Sequence, residues 1–132
     1  LNFGWAHEIN RNLEEAEKAY YEAGSLAQDA GIIEVAANAW NNLGVIHHKQ
    51  NKITDAMKAY EKALVLSRKV GDKRMIGMFM ANLAELTQDL EGWSEALRIL
   101  EEAGHKEEAD QYRTDLPLDH PFREQEFHIN GN

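Results

Sequence analysis

The side chains with the clearest chemical potential are three asparagines, Asn2, Asn42 and Asn82, spaced 40 residues apart. An amide offers a donor and an acceptor together, so one Asn can pair with both the N–H and the C=O of a peptide unit. A column of such amides can hold an extended peptide whatever its side chains. Catalysis finds less support. His47 and His48 are adjacent, so on a helix they point about 100° apart and cannot share a metal without other ligands. The sequence has no His pair at i, i+4, no Gly-rich phosphate loop before a helix, and no Ser in an elbow motif. Glu14-Glu15 and Glu101-Glu102 stand among basic residues, including Lys18 and Arg98, and read as solvated faces with weak i, i+3 and i, i+4 pairs. The chain is therefore expected not to be an enzyme, with no catalytic residue, no cofactor and no metal site.

The interval of the asparagines is shared by the elements that must carry them. Phe3, Leu43 and Leu83 coincide under the same shift, as do Gly4, Gly44 and Ala84. Ala16, Ala56 and Ala96 follow, then Tyr20, Tyr60 and Leu100, then Ala23, Ala63 and Ala103. Small residues recur where helices must approach closely, and large apolar ones where the space between must be filled. A fixed period of this length marks a repeat array in which no single unit buries its own apolar face. Apolar spacing of i, i+3, i+4, i+7 predicts helices over Leu13–Ala30 and Ile53–Val70, with others around Glu34–Lys49 and Lys73–Leu90. Gly31, Gly71 and Gly104 mark helix ends, and Asp72 is placed to cap the helix after Gly71. Gln50-Asn51-Lys52 and Glu91-Gly92 are read as tight turns within pairs. The predicted fold class is all-α, a right-handed superhelical solenoid of antiparallel helix pairs, with little or no sheet.

Composition fits one such domain. At 132 residues the chain can build a continuous core, and its two prolines, Pro117 and Pro121, leave the first 116 residues free of breakers. The net charge of −9 disfavours nucleic acid and anionic membrane as partners, since both need a basic footprint. There is no cysteine, hence no disulfide framework and no Cys-based zinc site. No apolar run approaches the ~20 residues of a membrane span, and no signal peptide is visible, so a cytoplasmic location is expected. Beginning at Leu1-Asn2 inside a repeat and without Met, the sequence is expected to be a fragment. The array is expected over residues 1–113, with repeats near 1–30, 33–70 and 73–103, an incomplete first pair, and a cap over 105–113 with Ala109 and Tyr112 facing inward. Residues 114–132 form an irregular tail. It is either disordered or anchored through Phe122 and Phe127 in a groove of this chain or of a neighbour.

Trp40-Asn41-Asn42-Leu43-Gly44, followed by Ala56, Tyr60 and Ala63, resembles a tetratricopeptide repeat. The usual repeat has about 34 residues, so the longer period implies lengthened helices. Such repeats resemble those of Leu-Gly-Asn-repeat (Pins-type) scaffolds, kinesin light chains and bacterial peptide-sensing regulators. Leu66-Ser67-Arg68-Lys69-Val70-Gly71-Asp72 is similar to the linker those scaffolds carry. The chain departs from the pattern at His47 and Thr87, where Tyr is usual, at Met80 in place of Trp, and at Ala84 in place of Gly.

The resemblance implies that the first helix of each pair lines a concave groove and that Asn2, Asn42 and Asn82 project into it to hold an extended peptide. Helical spacing then adds Asn38, Asn41, Val45 and Lys49 in the second copy, and Met78, Ala81, Glu85 and Asp89 in the third. The other reading of the asparagines is a hydrogen bond to a neighbouring helix or turn. Chaperone-binding repeats clamp a C-terminal carboxylate with Lys and Arg; Ala81 and Asn82 are not basic, so that clamp is incomplete. Met75, Met78, Phe79 and Met80 crowd one helix, as inter-helix core or as an adaptable apolar contact. Two functions remain: a protein-interaction scaffold binding an extended peptide in the groove, or a self-association module forming a homo-oligomer through repeat ends or the tail.

Overall fold

The computed structural model describes residues 3–116 and 119–122, with side chains from Asn10 onward. Among these residues the chain forms six helices and no strand: α1 Phe3–Asp29, α2 Ile33–Lys49, α3 Ile53–Val70, α4 Lys73–Thr87, α5 Leu90–Glu102 and α6 Lys106–Asp115. Each packs chiefly on its neighbours in sequence, and α2 also touches α4. Connections of two or three residues between helices force antiparallel neighbours. The result is a stack of helix pairs, α2 with α3 and α4 with α5, flanked by α1 and α6.

The helix ends follow from local chemistry. Gly31, Gly71 and Gly104 take φ of 76°, 79° and 91°, the left-handed conformation in which a side chain is strained. The Asp72 carboxylate accepts from Arg74 N–H at 2.9 Å and Met75 N–H at 3.2 Å, capping α4. Within the pairs the left-handed residues are Asn51 and Gln88, both at φ 59°. The second of these turns lies earlier than Glu91-Gly92. Asp89 caps α5 by accepting from Gly92 N–H at 3.0 Å, so Glu91 and Gly92 belong to its first turn. Gly92 suits that role, because a Cβ there would stand 2.6 Å from the Asp89 carboxylate.

The first pair departs from the sequence expectation. In place of an incomplete hairpin, α1 is one helix of 27 residues. The residue matching Asn51 is Arg11, a good helix former with none of the tolerance Asn has for positive φ. The Arg11 guanidinium lies 3.3 Å from Glu15 on the next turn, a pairing that continues the helix.

Close helix approach is paid for by small residues. A Cβ on Gly44 would come within 2.6 Å of the Tyr60 ring, and one on Gly24 within 2.8 Å of the Trp40 ring. Trp40 thus seats α1 on α2, with its Nε1 donating to Gln28 at 3.2 Å and an edge contact to Tyr21. Met75 and Phe79 are core, while Met78 and Met80 are partly buried against it. At the far end Ala109 is fully buried and Tyr112 meets Trp93 edge-on. Leu116 and Phe122 join the same cluster, with Phe122 2% exposed and its ring 5.5 Å from Trp93. Phe127 lies outside the described residues.

Candidate functional site

The proposed groove residues lie on α2 and α4, the two first helices of complete pairs, and on the turn after α4. Asn42 is exposed and makes no side-chain hydrogen bond among the described residues. Asn82 behaves differently from Asn42: it is partly buried, and its Nδ2 donates to Asn41 Oδ1 at 2.9 Å. Asn41 is itself 7% exposed, so this bond satisfies a buried carbonyl and ties the second repeat to the third. One of the two Asn82 N–H bonds and its carbonyl remain for other use. Asn38 is exposed and donates to Glu34 O at 3.3 Å. Val45 is half-buried, Lys49 exposed, and Met78 partly buried against both core clusters. Asp89 is exposed but spends one carboxylate oxygen on the α5 cap. Ala81 is fully buried core and offers no surface. Asn2 lies outside the described residues.

Glu85 is partly buried near two phenols. Burial, with the charge of Glu85 and then Tyr112 nearby, pushes the Tyr60 hydroxyl well up from its ordinary value. Tyr112 is pushed up to about 12, first by burial and then by Glu108, with Arg74 opposing and Glu85 and Asp115 adding. Both phenols therefore stay neutral through the physiological range and can only donate or accept hydrogen bonds. Arg74 is held more firmly protonated by Glu108, which it grips at 2.8 and 3.0 Å, fastening α6 to α4.

Two further concavities were not singled out from the sequence. One of about 410 Å³ is lined by Glu17, Lys18, Tyr21 and Glu22 of α1, Leu43 and His47 of α2, and Asp55 of α3. A smaller one of about 170 Å³ is lined by Glu61, Leu64, Leu83, Thr87 and neighbours. Tyr21 and Glu61, Leu43 and Leu83, and His47 and Thr87 are equivalent under the 40-residue shift, so these are repeats of one notch. That shift was the available signal. In the larger notch Glu17 lies 3.2 Å from the Lys52 ammonium and 3.3 Å from His47 Nδ1, the latter without hydrogen-bond alignment. Among the described residues no three His, Cys, Asp or Glu side chains gather to hold a metal. Nor is any described helix long and apolar enough to cross a membrane.

Helix pairs stacked with a 40-residue period define an all-α repeat solenoid. The family model of the tetratricopeptide repeat matches residues 37–69, which take in most of α2 and nearly all of α3. The match takes in 33 of the 132 residues, one helix pair of the array, and tetratricopeptide repeats generally mediate protein–protein interactions. No curated protein and no solved structure matches the chain.

Proposed function

We propose that the chain is a protein-interaction module that holds an extended peptide segment along the face carried by α2 and α4. The observation that carries this reading is the contrast between Asn42, exposed and with its amide unpaired among the described residues, and Asn82, whose amide is oriented by a buried partner. Two amides on adjacent first helices suit backbone recognition, because each can meet an N–H and a C=O of the same strand. Glu85, set among neutral phenols, favours a basic side chain at the neighbouring position of the peptide. Lys49 places the opposite charge one repeat earlier.

Enrichment of peptides from a displayed library on the immobilised chain supplies a ligand, and titration calorimetry then compares variants. Asn42→Ala deletes up to two hydrogen bonds of about 1 kcal/mol each, so affinity should fall roughly 5- to 30-fold. Lys69→Ala, exposed near the end of α3 and away from both concavities, should leave it unchanged. Unaltered binding by the Asn42→Ala protein refutes the groove assignment.

A further inference from the structure

In the complete pairs, the face of the second helix built from small and aromatic residues is closed by the first helix. Ala56, Tyr60 and Ala63 of α3 are 0%, 2% and 0% exposed, with Gly44 of α2 against the Tyr60 ring. Ala96 and Leu100 of α5 are both 0% exposed, with Gly77 of α4 against Leu100. The same face recurs on α1 as Ala16, Tyr20 and Ala23. There it is only partly closed: Tyr20 is partly buried against the core, Ala16 is partly buried, Ala23 is exposed, and Leu26 beside them is 70% exposed.

The repeat also says what sequence covers this face. In the second copy it is Asn42-Leu43-Gly44, and the matching stretch of the first copy is Asn2-Phe3-Gly4. That stretch cannot reach its own chain's face, because Phe3–Asp29 is one continuous helix. At ~1.5 Å per residue, positions 4 and 20 lie roughly 24 Å apart along its axis.

We propose that two copies of this chain pair through α1, antiparallel, each laying its Phe3-Gly4 stretch on the Ala16–Tyr20–Ala23 face of the other. The register follows from the repeat. Gly44 meets Tyr60 within a pair, so Gly4 of one copy meets the partner's Tyr20, and the two-fold axis passes near Asn12. The contact is isologous, so the interface formed once between α2 and α3 would be formed twice. Arg11 acts as the hinge: by keeping the helix straight where Asn51 turns it, it converts an internal hairpin into an exchanged one. This inference stands independently of the groove reading.

Sedimentation equilibrium of the 132-residue chain over a wide concentration range provides the test. A species of twice 15.0 kDa is expected, dissociating on dilution. Ala23→Glu places a charge in the contact and should raise the dimer dissociation constant at least ~10-fold, with helix content by circular dichroism unchanged because Ala23 is exposed in the single chain. Arg11→Asn restores the residue that turns at position 51, and should shift the chain toward a monomer with the hairpin closed. A wild-type chain that stays monomeric at all concentrations overturns the proposal. So does a dimer that survives Ala23→Glu with undiminished affinity.

Discussion

Replacing Asn82 tests whether one side chain serves architecture and recognition together. Its Nδ2 meets Asn41 Oδ1 at 2.9 Å, and Asn41 is 7% exposed. Asn82→Ala leaves that carbonyl buried without its donor, which costs about 1–3 kcal/mol. For a chain of this size the loss corresponds to a fall in Tm of roughly 3–10 °C. Asn41→Ala removes the acceptor and leaves Asn82 with water at hand, so it should cost less. The double variant removes both ends of the bond, and the two losses should fail to add by about 0.5–2 kcal/mol. Asn42→Ala, on an exposed side chain unpaired among the described residues, should stay within about 0.5 kcal/mol of the parent. Urea denaturation of the four proteins, followed by circular dichroism, gives the cycle. Strictly additive losses, or an Asn82→Ala protein as stable as the parent, would refute the inter-repeat bond. Asn82→Ala should also weaken peptide binding, so its affinity is to be read only where the variant is fully folded.

Three other substitutions or conditions probe the scaffold. Gly44→Ala drives a methyl to within 2.6 Å of the buried Tyr60 ring and should destabilise by about 1–3 kcal/mol in thermal melts. Phe122→Ala empties a site 2% exposed beside Trp93 and should cost up to about 3 kcal/mol, limited by detachment of the end of the chain. A red shift of tryptophan emission would report the loosened Trp93. The raised phenols set an alkaline limit. Unfolded tyrosine ionises near 10.0, and Tyr112 in the folded chain only at about 12. The contribution of Tyr112 is thus full below pH 10 and lost as pH rises through about 12, with Tyr60 acting in the same direction. Denaturation midpoints measured from pH 9 to 12 should fall across that window, and fall less in Tyr112→Phe.

What the sequence determined by itself is what depends on near neighbours and on repetition. The period of 40 and the apolar spacing within each copy specify helices that cannot bury their faces alone. Glycines at 31, 71 and 104 and the carboxylate of Asp72 end and begin helices through contacts within a few residues, which is why they were legible. The continuous α1 was less so, because a hairpin and a long helix share the same apolar pattern and differ only in whether residue 11 turns left-handed. The turn at Gln88 was shifted for a similar reason: Gly92 reads as a breaker, yet it serves the Asp89 cap at close range. Only tertiary structure could distinguish Asn42 from Asn82. The bond that separates them joins residues 41 apart in sequence, across two repeats, and no periodicity encodes which amide finds a partner. The burial of Phe122 against Trp93 is of the same kind, a contact between segments whose own patterns are silent about each other. Repetition fixes what each copy is; packing against unlike neighbours fixes what each copy is free to do.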